Sequence, residues 1–215
     1  SMITPVLINK TPNGNYSYSD SIGCDLLDVI FTPDVIDANN NYLWDFGNGN
    51  TTNSFGVTSH QYSQIGCFDV TLSVTSKEGC VATILDTNAI CVYRQPIADF
   101  MASRYVFSSL ETPIVQFTNL SQHSTIYYWQ FGDGQTSFTE HPNHTYADGA
   151  NKYMVKLMAG NVAGCLDSTY KYIEVYQEIA IYVPNTFTPN NDIHNEAFIP
   201  ILTDGFVEET YHLTI

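Results

Sequence analysis

Basic side chains are scarce in this chain: 7 Lys and Arg stand against 22 Asp and Glu, leaving a formal charge of −15 over 215 residues. Displacing counterions from a nucleic-acid backbone takes a clustered basic footprint, so a few scattered cations exclude a nucleic-acid partner. The same shortage excludes an anionic membrane surface. No apolar run approaches the ~18 residues that cross a bilayer as a helix, which excludes membrane insertion by that route. Charge of either sign is thin, at 13% of residues against a usual ~25%. Asn, Thr, Ser and Tyr carry the polar share instead, while 44% of residues are hydrophobic, a folded and β-leaning composition rather than a disordered one.

Chemistry-bearing patterns are missing too. There is no Gly-x-Ser-x-Gly elbow and no Cys/His pair set as nucleophile and base, so the chain reads as non-catalytic. Acids such as Glu208-Glu209, or Asp192 with Glu196, read as solvated side chains rather than as a glycosidase pair. The histidines read as loop residues. His141 and His144 flank Pro142 with no third His or Cys nearby, a structural arrangement rather than a metal site. The five cysteines, at 24, 67, 80, 91 and 165, avoid the CxxC spacing of zinc sites and point to disulfides. Five is odd, so one thiol is expected free or paired outside the given sequence. The Ser1-Met2 opening and the stop at Ile215, within an alternating run, read as a segment cut from a longer exported chain whose signal peptide lies elsewhere.

What is present is a duplication. Tyr42-Leu43-Trp44-Asp45-Phe46-Gly47-Asn48-Gly49 returns as Tyr127-Tyr128-Trp129-Gln130-Phe131-Gly132-Asp133-Gly134, 85 residues later. Ser59-His60-Gln61-Tyr62 is answered by Asn143-His144-Thr145-Tyr146, Phe68-Asp69-Val70-Thr71-Leu72 by Tyr153-Met154-Val155-Lys156-Leu157, and Gly79-Cys80 by Gly164-Cys165. Within each copy the period is two: Phe68, Val70, Leu72 and Val74 alternate with polar residues, and Tyr153, Val155 and Leu157 do likewise. Such runs, separated by Gly, Asn, Asp and Pro clusters, predict antiparallel β-sandwiches. In each, Trp44 and Phe46, or Trp129 and Phe131, share strand parity and face the core, and the glycines supply a tight turn. Tyr62 and Tyr146 read as tyrosine corners.

On these residues, Tyr-x-Trp-Asp-Phe-Gly-x-Gly followed by His-x-Tyr and Gly-x-Phe-Asp-Val-Thr-Leu, each copy resembles the polycystic kidney disease (PKD) domain. That resemblance implies an all-β chain with two immunoglobulin-like sandwiches, over 20–92 and 97–175, after a lead-in at 1–19 and joined near Tyr93-Arg94-Gln95-Pro96. The sequence departs from the family's usual Asp at Asn48 and at Gln130.

A third segment, 180–215, holds Val183-Pro184-Asn185-Thr186-Phe187-Thr188-Pro189-Asn190-Asn191-Asp192 and Asn195-Glu196-Ala197-Phe198-Ile199-Pro200. It is similar to the start of the gliding-motility-associated C-terminal domain, a cargo signal for type IX secretion in Bacteroidetes. This implies a partial C-terminal β segment, the type IX secretion machinery as a partner, and an extracellular, cell-surface location. Asn191, Ile193 and His194 stand where that family more often has Gly, Gly and Ile.

Calcium is the one cofactor with a case. Some PKD relatives bind it in the loop before the Trp strand, here holding Asp34, Asp37 and Asn39, and a second oxygen-rich set is Asn190, Asp192, Asn195 and Glu196. Turn formation accounts for the same residues. For the cysteines, the hairpin through Lys77-Glu78-Gly79 sets Cys67 opposite roughly residue 88 and near Cys91, close to where Cys24 enters its strand. Any pair among Cys24, Cys67 and Cys91 fits, while Cys80 and Cys165 are harder to partner within the chain. The resulting expectation is the non-catalytic stalk or adhesion region of a large secreted surface protein resembling a gliding-motility adhesin. The alternative is the accessory region of a secreted hydrolase, with exposed Tyr42, Tyr127 and Tyr128 stacking on polysaccharide.

Overall fold

A computed structural model describes residues 9–147 and 149–178, together with the backbone at 181–182 and 201–202. It contains no helix among the described residues. The first copy folds as β1 (Tyr16–Tyr18), β2 (Ile22–Cys24), β3 (Leu27–Pro33), β4 (Asn41–Asp45), β5 (Thr51–Thr52), β6 (Thr58–Tyr62), β7 (Gly66–Thr75) and β8 (Val81–Tyr93). The second repeats the series as β9 (Phe100–Ala102), β10 (Val106–Ser108), β11 (Ile114–Asn119), β12 (Ile126–Gln130), β13 (Thr136–Ser137), β14 (Asn143–Thr145), β15 (Asn151–Gly160) and β16 (Leu166–Tyr176). Two short strands follow, β17 (Ile181–Tyr182) and β18 (Ile201–Leu202), paired antiparallel.

Each copy is a three-stranded sheet, β1-β3-β6 or β9-β11-β14, packed with a five-stranded one, β2-β8-β7-β4-β5 or β10-β16-β15-β12-β13. The match is strand for strand. The sandwiches are not wholly antiparallel, as the alternation alone predicts. β2 runs parallel to β8, and β10 runs parallel to β16. The opening strand of each copy starts in one sheet as β1 or β9 and finishes in the other as β2 or β10, where it meets the final strand running in its own direction.

The period-two pattern explains the cores. Along β7, Phe68, Val70, Leu72 and Val74 are buried, joined by Val29, Phe31, Trp44, Phe46, Tyr62, Ile90 and Val92. The second core gathers the matching Tyr153, Val155, Leu157, Val115, Phe117, Trp129, Phe131, Tyr146, Ile173 and Val175. Burying aromatic side chains of this size removes ~150–250 Å² each from water, which makes these rings the largest apolar term in either copy.

The chain divides into two compact units: Ser1–Ala98 with Ser121–Ile126 and Ala159–Asp167, and Asp99–Leu120 with Tyr127–Met158 and Ser168–Ile215. Two turns of the second copy therefore group with the first sandwich. The register of β7 on β8 also differs from a simple hairpin. Continued from Thr75 opposite Val81, a strict register would set Ala89 opposite Cys67, but an irregularity between Phe68 and Val70 brings Cys91 there instead. Asn88, at φ 51°, lies within it, its N–H donating to Asp69 Oδ1 at 2.7 Å. This is the signature of a β-bulge.

Candidate functional site

The repeated motif builds one closed aromatic stack in each copy. In the first, His60 lies flat on Phe46 at 4.1 Å and Tyr62 meets it edge-on at 4.8 Å. In the second, His144 lies flat on Phe131 at 4.0 Å with Tyr146 edge-on at 4.6 Å. The tyrosine hydroxyls donate to the Phe46 and Phe131 carbonyls, both at 3.1 Å. Burial raises both phenols far above their ordinary value, which keeps them as donors. Gly47, at φ +75°, lets the turn press against β7; a Cβ there would collide with the Asp69 carbonyl. His60 and His144 are strand residues of β6 and β14, a correction to the reading from sequence, while His123 and His141 lie in loops as read. Both indoles are fully buried, so neither tryptophan offers a ligand surface.

The copies differ at one polar contact inside this stack. His144 Nε2 meets Asp133 Oδ2 at 2.7 Å, and His144 is only 7% exposed. In the first copy Asn48 stands at the matching place, its Nδ2 3.0 Å from His60 Nε2. An amide nitrogen donates, so Nε2 of His60 accepts and the ring is held neutral. Burial accordingly lowers the affinity of His60 for a proton. Burial by itself pushes the Asp133 carboxyl up, but hydrogen bonds from Gln135 N–H and His144 outweigh it and hold the group below its ordinary value.

The loop proposed for calcium is organised by hydrogen bonds of its own. Asp37 Oδ1 accepts both the backbone and the side-chain N–H of Asn39 at 2.9 Å, forming an Asx turn. The Asp37 N–H donates to the Tyr42 hydroxyl, which donates to the Val35 carbonyl at 3.2 Å. Asp34 lies at the end of β3 and its N–H donates to the Asn15 carbonyl. Calcium takes six to eight oxygens, and among the described residues no three His, Cys, Asp or Glu gather closely enough to hold a metal ion. The residues at 34–39 are held as a turn by their own hydrogen bonds. Asn190, Asp192, Asn195 and Glu196 lie outside the described residues.

Of the tyrosines considered as stacking platforms, Tyr42 is buried, a correction with a clear cause: its hydroxyl is the hub of the 35–42 loop. Tyr127 packs partly buried on the second core. Tyr128 is half-buried and tilts against Phe138, 5.1 Å between centroids, and Phe138 is 72% exposed. Phe55 packs edge-on against Tyr42 in the first copy and lines a groove of about 420 Å³ with Asn41, Leu43, Asn53 and Ser73. Neither Phe55 nor Phe138 stood out in the sequence, because each follows a two-residue strand too short to show a period.

The cysteines resolve into Cys67–Cys91, joining β7 to β8, and Cys24–Cys165, separated by 141 residues. The second pairing departs from the expected trio. Cys165 closes the 159–167 turn that groups with the first unit, which brings it within 6.0 Å, Cα to Cα, of Cys24. The same region ties down the linking residues. Gln95 N–H donates to Asp25 Oδ1 at 3.1 Å, Gln95 Nε2 to the Leu166 carbonyl at 2.6 Å, and Asn161 Nδ2 to the Arg94 carbonyl at 3.0 Å. Ala98 N–H donates to Asp167 Oδ2, and Ile97 bridges Gln122. Cys80 is the free cysteine.

Several solved structures resemble parts of the chain. The PKD1 domain of the Vibrio cholerae metalloprotease PrtV is 30% identical over 38% of this chain and 96% of its own, at a TM-score of 0.33. The PKD1 domain of Vibrio anguillarum Epp is 24% identical over 40% of this chain and 99% of its own, at 0.34. Murine CEACAM1b is 11% identical over 76% of this chain and 100% of its own, at 0.45. No curated protein matches. The family model described as PKD domain matches twice, over residues 9–92 and 93–175, so the chain belongs to the PKD domain family as a tandem pair.

Proposed function

We propose that this chain is the non-catalytic stalk of a large secreted surface protein, a gliding-motility adhesin whose 180–215 segment is read by the type IX secretion machinery. PKD domains serve as extracellular adhesion or spacer modules. The observation that carries the reading is the linking region: residues 94–98 are hydrogen-bonded along their length and bracketed by the Cys24–Cys165 bond. A disulfide closing so long a loop restricts the unfolded chain by roughly 4–5 kcal/mol in the entropic account, and two disulfides fit an extracellular location. The test is labelling of intact cells with an antibody to residues 9–175. Surface signal in the parent strain, and its loss to the periplasm when 180–215 is deleted, supports the reading; surface signal unaffected by the deletion removes the sorting role.

A second reading, the polysaccharide-binding accessory region of a secreted hydrolase, draws on the exposed Phe138 ring over Tyr128. Aromatic faces of this kind stack on sugar rings. Glycan binding that is lost in both Tyr128→Ala and Phe138→Ala supports it; no binding to any polysaccharide tested removes it.

A further inference from the structure

Cys80 and Cys165 occupy the same place in the two copies. Ser76 N–H donates to the Cys80 carbonyl at 2.8 Å and Gly79 N–H to the Ser76 carbonyl at 2.9 Å. In the second copy Asn161 N–H donates to the Cys165 carbonyl and Gly164 N–H to the Asn161 carbonyl, both at 3.1 Å. The first side chain of each turn holds the cysteine amide, Ser76 Oγ accepting from Cys80 N–H at 3.2 Å and Asn161 Oδ1 from Cys165 N–H at 3.1 Å. Gly79 and Gly164 share φ, at 87° and 86°. Two congruent turns therefore present two equivalent sulfurs, and one of them is bonded to a cysteine of the copy before it.

The other end of that bond is equally well defined. Cys24 ends β2 opposite Tyr93, and the next N–H, of Asp25, donates to the Tyr93 carbonyl at 2.8 Å. Its counterpart is Ser108, which ends β10 opposite Tyr176, with Ser109 N–H donating to the Tyr176 carbonyl at 2.9 Å. Serine cannot form the bond, so the second copy offers no sulfur to a copy that follows it at this position. The first copy, through Cys80, offers one to a copy that precedes it.

We infer that Cys80 forms a disulfide with a preceding copy of this module, through the cysteine at the position that Cys24 holds here. The two thiols form one S–S bond, and the two protons and two electrons they lose pass to a disulfide oxidant of the export pathway, which is reduced to two thiols. The inference rests on the stalk reading for the existence of that preceding module.

The test is disulfide mapping of the full-length protein released from its cells. Thiols are capped with N-ethylmaleimide before unfolding, and the protein is digested without reduction and sequenced by mass spectrometry. The expected result is a Cys80 peptide joined to a peptide from before Ser1, separating on reduction. Cys80 found capped, bonded to a small thiol or bonded to Cys80 of another molecule overturns it. If modules precede residue 1 and Cys80 is capped, the staple fails while the stalk stands; if no module precedes it, both fail. On the 215-residue chain itself, one thiol per molecule reacts with an aromatic disulfide reagent and none in Cys80→Ser. Labelled thiols that map to Cys24 or Cys165 in that variant mean the Cys24–Cys165 template is itself open, which also overturns the inference.

Discussion

Lys152 Nζ and Glu174 Oε2 stand 3.6 Å apart at the two positions that, in the first sandwich, are joined as Cys67–Cys91. Where one copy carries a covalent bond between its last two long strands, the other carries an ion pair whose side chains are half-exposed. The pair is worth little: an exposed Lys–Glu contact contributes about 0.2–1 kcal/mol, against about 3 kcal/mol for a disulfide closing a loop of some twenty residues. Lys152→Ala should therefore barely move the unfolding of the second sandwich. Lys152→Cys with Glu174→Cys should close a bond and raise that midpoint, an increase that vanishes in reductant. Emission of Trp129 in a Trp44→Phe background reads the second sandwich alone.

Acid should separate the two copies. His60 takes up a proton less readily folded than unfolded, so the unfolded chain binds more protons and the first sandwich loses stability as pH falls from the ordinary histidine value of 6.5 downward through the lower folded one. Asp133 is likewise depressed, so its contribution is complete above the ordinary 3.8 and is lost only as pH falls below that. The Trp44 transition should therefore shift in mildly acid buffer while the Trp129 transition holds. Asn48→Asp, which recreates the Asp133–His144 contact, should flatten the acid dependence of the first sandwich. Equal acid sensitivity in both copies would count against this account.

The two tryptophans are packed alike and bonded differently. Trp129 Nε1 donates to the Thr139 carbonyl at 2.9 Å, whereas the buried Trp44 Nε1 has no hydrogen-bond partner among the described residues. Tyr16 meets the Trp44 ring edge-on at 5.1 Å. Trp129→Phe removes the hydrogen bond to the carbonyl of the exposed Thr139, at about 0.5–1.5 kcal/mol, and Trp44→Phe removes a donor that was already costly to bury. Beyond the shared loss of ring area, Trp129→Phe should be the more destabilising by about 1–2 kcal/mol in urea unfolding.

Asp37 gives the calcium question a direct readout. If its carboxylate serves the Asx turn, Asp37→Ala should cost about 1 kcal/mol of stability, by the same amount in chelator and in millimolar calcium. A penalty that appears only with calcium present would assign a metal role to the 34–39 loop.

The repeat and the alternation of β7 and β15 contain the all-β class and the tandem arrangement, since a period of two is a property of a single strand and needs no partner to be read. The same holds for the shared parity of Trp44 and Phe46. By contrast, the Cys67–Cys91 register depends on extra residues in β8 near Asn88, and nothing local to either cysteine announces them. Tyr42 was legible as an aromatic strand residue but not as the hub of a loop, because its partners Val35 and Asp37 lie around a turn whose path the sequence leaves open.

From sequence alone came two copies of one sandwich, an acidic composition and cysteines meant for disulfides, all consequences of composition and short-range periodicity. Tertiary structure alone decided that Cys24 bonds Cys165 rather than a near neighbour, that β2 and β10 run parallel to β8 and β16, and that His144 faces a carboxylate while His60 faces an amide. Those outcomes depend on where the chain returns after tens of residues, and that is fixed by the packing of whole sheets rather than by any residue's immediate neighbours.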